Sequence, residues 1–289
     1  MVVFKQYGWL GNQIFQYCAL RSLMKDTETL IMVGCNQLNN LFQGTNAIFV
    51  NQNTDYFRRI LLKNLTKHVE YCAERGIYQT ISENKEQQLL INRGTINGLK
   101  FAHLFFQQLE NSFNSEYYFD LTIKPEYISK SKSIVESIQK PNSSLFFIHV
   151  RRGDYLKWKS IDEPAVLPES YYKYCIRQIK ERNQNALFIA CSDDKEYIKR
   201  IFSDYDDVFI SEEDYLTDFT IMRQCDGGIL SASSFSWWGA FHLYHTGKAG
   251  PFYAPEFWIG HRKKEWYPKH FHTSFLSYVN VHKIGYSDE

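Results

Sequence analysis

The stretch Phe147-Ile148-His149-Val150-Arg151-Arg152-Gly153-Asp154-Tyr155, FIHVRRGDY, decides the reading of the fold. Leu145 to Val150 is rich in β-branched and aromatic residues and reads as a buried strand. That strand ends in two arginines, a glycine and an aspartate. Adjacent cations at the mouth of a buried strand serve packing badly. They are well placed to meet an anion at the carboxyl edge of an open α/β sheet, where ligands bind. An Arg–Asp ion pair that ties a loop down would account for the same residues.

Outward from this stretch the order strand, loaded loop, helix recurs. A helix is expected from about Glu169 to Arg182, then a strand ALFIA at 186–190 that ends in CSDD, with Asp193 or Asp194 placed to cap the next helix. DVFI (207–210) reads as a strand, YLTDFTIMRQC (215–225) as a helix, and GGIL (227–230) as a short strand leading into SASSFSWWGAFHLYH. Upstream, KPNSS at Lys140 to Ser144 marks a domain boundary. The amino-terminal half opens with a strand, Val2 to Gln6, and the glycine-bounded loop YGWLGNQ. An amphipathic helix from about Asn12 to Lys25 and a strand TLIMV at 29–33 follow. Further helices are expected near 55–72, 98–113 and 126–139. The glycine spacing is not G-x-G-x-x-G, so no nicotinamide or flavin site is read. The expected fold is α/β, with two Rossmann-like domains, 1–143 and 144–289, facing across a cleft into which both carboxyl edges point.

The 289 residues carry a formal net charge of +1, which gives no basic field to collect nucleic acid. Aromatics reach 17%, a composition that suits a core and also a sugar-handling face. The six cysteines (18, 35, 72, 175, 191, 225) form no Cys-x-x-Cys and no metal-like spacing with histidine, and read as buried thiols of a reducing compartment. No signal peptide opens the chain and no apolar run is long enough to cross a bilayer. The expected setting is cytoplasmic, as a whole protein or as a soluble catalytic domain cut free of an anchor. Neither a G-x-S-x-G elbow nor H-E-x-x-H is present. Asp204 and Asp206 have the spacing of a metal–nucleotide motif, but at a turn before a strand they read as solvated surface acids, and no metal is expected. His242 and His245 read as helix packing residues.

SASSFSWWGA puts Ser233 and Ser234 at a helix start, where free N–H groups, the helix dipole and two hydroxyls can hold an anion. A plain serine N-cap is the competing reading. With the arginine pair at another strand exit, the two features could grip one diphosphate from two sides, because guanidinium suits phosphate oxygens. Asp193 or Asp194 could accept N–H bonds from guanine. His149 could bond a ligand or orient the loop after it.

Four motifs, GWLGNQIFQYCALRSL, HVRRGDY, CSDD and SASSFSWWGA, occur in this order and at similar intervals in the α-1,2-fucosyltransferases of glycosyltransferase family eleven, which the chain resembles over essentially its whole length. Trp9, Cys18 and Ala232 depart from the usual glycine, alanine and asparagine. The resemblance implies a GT-B type fold, with GDP-fucose held mainly by the second domain and the acceptor sugar reaching in from the first. It implies Arg151 on the diphosphate, His149 and Asp193 or Asp194 on guanosine, and Ser233, Ser234 and Phe235 at the phosphate-side helix start. Gly11, Asn12 and Gln13 then form the facing loop of the first domain. The implied reaction is inverting and needs no cofactor or metal: β-linked fucose moves to the 2-hydroxyl of a terminal galactose on an oligosaccharide, glycolipid or O-antigen. Asp154 is a candidate base for the hydroxyl proton, with a diphosphate oxygen, Asp162 and Glu163 as competitors. The implied location is cytoplasmic, with room for peripheral contact at the inner face of a membrane. A transferase using another nucleotide sugar and a non-catalytic sugar- or nucleotide-binding module are the rival readings.

Overall fold

The computed structural model describes residues 1–50, 56–83, 89–102, 116–158, 164–269 and 271–284. The chain forms two compact units, Met1–Lys124 and Pro125–Glu289.

The first unit contains β1 (Val2–Lys5), α1 (Leu10–Leu23), β2 (Leu30–Val33), α2 (Asn36–Leu41), β3 (Phe42–Gln43), β4 (Ile48–Val50) and α3 (Tyr56–Glu74). It continues with β5 (Tyr78–Glu83), β6 (Leu89–Asn92), β7 (Ile96–Ala102), α4 (Glu116–Phe119) and β8 (Thr122–Ile123). Its main sheet has the order β4-β2-β1-β7-β5-β6 and is parallel except for the β5–β6 edge pair. Val3, Ile31, Val50, Val69, Ala73 and Phe101 form one core, in which α3 covers the sheet.

Two expectations are corrected here. Helix α1 begins at Leu10 and is buried almost all round, from Leu10 to Arg21, rather than amphipathic. Gly11, Asn12 and Gln13 therefore lie in its first turn, not in a loop. The helix expected near 98–113 is a strand as far as Ala102, and the rest lies outside the described residues. Gly98 sits at φ 100°, outside any right-handed helix, and the Lys100 N–H donates to the Met1 carbonyl at 3.0 Å.

The second unit contains α5 (Pro125–Ile138), β9 (Ser144–Val150), α6 (Glu169–Arg182), β10 (Ala186–Ser192), α7 (Lys195–Ile201), β11 (Val208–Ile210) and α8 (Tyr215–Met222). Then come β12 (Gly227–Ile229), α9 (Ser234–His245), β13 (Phe252–Pro255) and β14 (Ser277–Val279). The compact units divide at Lys124/Pro125 rather than at 143/144. Helix α5 belongs to the second because it packs on α8 and its neighbours: Lys130 pairs with Glu213, and Gln224 donates to Ser131.

The second sheet is wholly parallel, in the order β11-β10-β9-β12-β13-β14. Numbered within the unit this is 3-2-1-4-5-6, the doubly wound order, and the strand sequence reverses between β9 and β12. Strands β9 and β10 are buried on both faces, as expected for a parallel sheet under helices, and so read as continuous apolar runs. The arginine loop leaves β9 and the serine-rich turn leaves β12, so both stand at the crevice beside the reversal point.

Candidate active site

Arg151 is the first residue past β9. Its guanidinium lies between two carboxylates, with Nη2 2.6 Å from Asp154 Oδ1 and Nη1 2.8 Å from Asp193 Oδ2. Arg152, at φ −127° and ψ −69°, has left the extended conformation of the strand and takes other partners. Its Nε donates to Asp194 Oδ2 at 3.0 Å, and its guanidinium stands 3.6 Å from the Tyr197 ring centroid. Asp154 thus pairs with Arg151. Asp193 also accepts the Arg152 N–H at 2.8 Å, and a β-carbon on Gly153 would come within 2.5 Å of its Oδ2, so a side chain there would push this carboxylate aside. Asp194 caps α7, accepting the Tyr197 N–H at 3.1 Å.

Ser233 is the N-cap of α9 and accepts the Phe235 N–H at 3.3 Å, while Ser234 opens the helix. Phe235 lies over His149, ring centroids 5.2 Å apart. The His149 ring is buried and its Nδ1 has no hydrogen-bond partner among the described residues. Burial, with the charges of Arg151 and Lys195, lowers its pKa to about 3, so the imidazole is neutral at ordinary pH.

The two loops are joined by a residue not singled out in the sequence. Ser231 Oγ donates to the His149 carbonyl at 2.8 Å, accepts the Arg151 N–H at 2.9 Å and bonds the Tyr172 hydroxyl at 2.8 Å. Tyr171 and Tyr155 donate to the carbonyls on either side, Leu230 (2.9 Å) and Ala232 (2.7 Å). Three consecutive residues of the β12–α9 turn are therefore each held by a buried tyrosine hydroxyl. Across β9, Ser192 Oγ donates to the Val150 carbonyl at 2.7 Å. Part of the aromatic excess is thus spent in satisfying polar groups of this turn. Next to His149, Lys195 Nζ lies 3.1 Å from Asp218 Oδ2, and Ser211 donates to the same carboxyl. Burial raises the Asp218 pKa to about 6 against the opposing pull of Lys195.

In the first unit Gly11 and Gln13 are buried. The Gln13 amide is spent within the unit, donating to Gln37 and accepting the Leu38 N–H at 3.0 Å. Trp9, just before the helix, is 62% exposed. Asp204 and Asp206 are exposed at the turn entering β11, the edge opposite the arginine loop, and the described residues contain no group of three metal-ligating side chains. His242 bonds Arg223 at 3.1 Å and His245 packs on Phe241, in keeping with packing roles. All six cysteines are buried and free. Asp162 and Glu163 lie outside the described residues.

Two α/β units built on mainly parallel sheets, the second in the doubly wound order, are the fold of a GT-B-type glycosyltransferase. The fold is shared by solved structures of POFUT1 with GDP (13% identity, TM-score 0.52, covering 87% of this chain and 97% of that one) and of the glycosyl transferase family 9 protein from Veillonella parvula (11% identity, TM-score 0.53, 98% and 86%). The sequence model of glycosyl transferase family 11 matches residues 2–251, and the chain belongs to that family. Its relatives include an alpha-1,2-colitosyltransferase of Escherichia coli, 27% identical over 83% of this chain and 87% of the relative. The O-antigen biosynthesis glycosyltransferase WbnK of Escherichia coli is 24% identical over 81% and 87%. The galactoside alpha-(1,2)-fucosyltransferase 1 of Saimiri boliviensis boliviensis is 23% identical over 50% and 42%.

Proposed function

We propose that the chain is an inverting, metal-independent galactoside α-1,2-fucosyltransferase, moving L-fucose from GDP-β-L-fucose to the 2-hydroxyl of a terminal β-galactose. The observation that carries this reading is the Arg151 guanidinium at the switch point, its backbone bonded through Ser231 to the turn that opens α9. The donor diphosphate takes the place of Asp154 and Asp193 on the guanidinium, and the first N–H groups of α9 face its other side. Charge that develops on departing GDP then meets dipoles already in place, which supports a mechanism without metal. Asp154, released from Arg151, is the base that takes the acceptor proton. Neutral His149 serves the guanosine end as a hydrogen-bonding group. Asp193 and Asp194 serve it only where nucleotide binding loosens their present bonds. Asn12, with exposed Trp9 before it, is assigned to the acceptor side, and buried Gly11 and Gln13 support that first turn from within. The setting proposed is the cytoplasm, with a galactose-terminated oligosaccharide, glycolipid or O-antigen as acceptor.

A second reading keeps the α-1,2 linkage and replaces fucose by colitose, the sugar in the name of one Escherichia coli relative. Incubating the enzyme with GDP-fucose or GDP-colitose and a panel of β-galactosides, with and without EDTA, tests both. The expected result is an α-1,2-fucosylated galactoside, identified by NMR and formed equally well with chelator. Transfer from GDP-colitose alone would replace the donor. GDP binding without transfer to any acceptor would make the protein a binding module.

A further inference from the structure

Helix α3 turns Thr66, Val69, Cys72 and Ala73 inward, with Val69 and Ala73 in the core of the first unit. Its opposite face exposes Tyr56 (59%), Tyr71 (52%) and Ile60 (41%), and Leu61 (68%) is exposed at the flank of that face, one turn before Leu65. Exposed Lys63 and Lys67 stand among them, and no acidic residue occurs from Tyr56 to Val69. Glu70, the first acid, is bound by Lys5 Nζ at 2.8 and 3.1 Å. Arg59 and Arg75 lie over the rings of Tyr56 and Tyr71, at 5.6 and 3.6 Å. A helix that only faces water mixes both signs of charge and leaves its large aliphatic side chains inside. This one joins aliphatic bulk, tyrosines towards either end and, as far as Val69, cations without an acid; its exposed acid is Glu74, the last residue of the helix. Among the described residues no helix is long and apolar enough to cross a membrane. A cationic apolar face on a helix covered on its other side by its own domain suits the plane of a lipid interface.

We propose that the exposed face of α3 docks on an anionic phospholipid surface. Ile60 and Leu61 enter the headgroup–acyl boundary, Tyr56 and Tyr71 sit at headgroup level, and Lys63 and Lys67 meet lipid phosphates. Charge selects this occupant over a second copy of the chain, because a self-complementary pairing would set the same cations against each other. The proposal is independent of the donor and acceptor assigned above.

The test is co-sedimentation of the full chain with vesicles of phosphatidylcholine alone and of phosphatidylcholine with phosphatidylglycerol. Binding to the anionic vesicles only, weakened by salt, is expected. Leu61→Asn with Ile60→Asn, and separately Lys63→Glu with Lys67→Glu, should each lower partitioning at least ~10-fold. Both pairs are on the surface, so melting temperature and GDP affinity should stay near wild type. No binding, equal binding to neutral vesicles, or binding that survives both pairs of changes would overturn the proposal. Self-association that Leu61→Asn abolishes, with no vesicle binding, would give the face to a second copy and overturn it as well.

Discussion

In the first unit, central strand β1 runs into a loop whose carbonyls are held by amides. Gln6 Nε2 donates to Gly8 O at 3.0 Å, Gln13 reaches the same oxygen at 3.4 Å, and Gln16 donates to Tyr7 O. In the second unit, central strand β9 runs into a loop held by carboxylates: Asp193 and Asp154 on Arg151, Asp194 on Arg152. Both loops lie between a central strand and a helix of a parallel sheet. One is neutral and carries an exposed tryptophan, the other is built of paired ions. The fold supplies the ledge, and the side chains decide whether an anion or an uncharged ligand suits it. Amide-held loops keep their shape without depending on a ligand's charge. An ion-paired loop has counter-charges that an incoming diphosphate can replace.

The sharpest way to break this contrast is at Arg151. Arg151→Lys keeps the charge and loses the planar fork, and kcat should fall by about two orders of magnitude or more, beyond any change in donor affinity. Arg152→Lys should act mainly on stability, through Asp194 and Tyr197. Asp154→Asn should slow transfer while GDP binding is kept. Near wild-type turnover in Arg151→Lys would remove the diphosphate clamp from the proposal.

Acid should separate the two units next. Burial lowers the pKa values of His149 to about 3, His242 to about 3 and His261 to about 4, all in the second unit. A depressed folded pKa gives stability that is present above the unfolded value, near 6.5, and lost as pH falls towards the folded one. Asp218, raised to about 6, works the other way: its contribution is present below the unfolded value, near 3.8, and lost as pH rises through 6. Asp218→Asn should therefore steepen the acid loss. In the first unit Glu28 is brought down to about 2: burial pulls upward, but hydrogen bonds from Lys100 and the Lys25 N–H outweigh it. Its contribution is kept above 4.5 and lost as pH falls through 2. Melting followed by probes in each unit, from pH 7 to pH 4, should show the second unit weakening first. Parallel loss in both would contradict this assignment.

Ser231→Ala should cost ~1–3 kcal/mol, since it strands a buried Tyr172 hydroxyl and the Arg151 N–H together. Ser231→Thr keeps the hydroxyl and should restore most of GDP affinity if Ser231 positions Arg151. Equal GDP affinity in both variants and wild type would restrict the serine to packing. The matching change in the first unit is Gly8→Ala. Gly8 lies at φ 80° and an added β-carbon would run into the Asn12 side chain, so a loss of ~1–2 kcal/mol is expected, with GDP affinity unchanged. Smallest is Asp194→Ala, which removes a cap worth ~1 kcal/mol and should show in calorimetric stability.

Most of the second unit was legible in the sequence. Buried parallel strands read as unbroken apolar runs, and FIHV, ALFIA and GGIL fell where strands stand. The cations after β9 and the serines before α9 stood out as candidates because they are out of place for packing, and the pairing of β9 with β12 brings them to one sheet edge. Ser231 was not legible, since its partners His149, Arg151 and Tyr172 are far away along the chain and only pairing of β9 with β12 gathers them. The start of α1 was missed for a local reason. Trp9 stands at its N-cap with no side-chain capping bond, so the usual serine or aspartate signal is missing. In 98–102 the residue types suited either helix or strand, and a glycine in a left-handed conformation together with pairing to β1 and β5 decided for the strand.

The three tyrosine hydroxyls on Leu230, Ser231 and Ala232 have a thermodynamic consequence. A turn fixed by buried bonds gives up its conformational freedom when the chain folds, not when a ligand arrives. Calorimetric titration with GDP should therefore show a heat-capacity change no larger than the nucleotide's own buried surface requires. The amide hydrogen of Arg151, enclosed against Ser231, should exchange with solvent only when the whole unit opens.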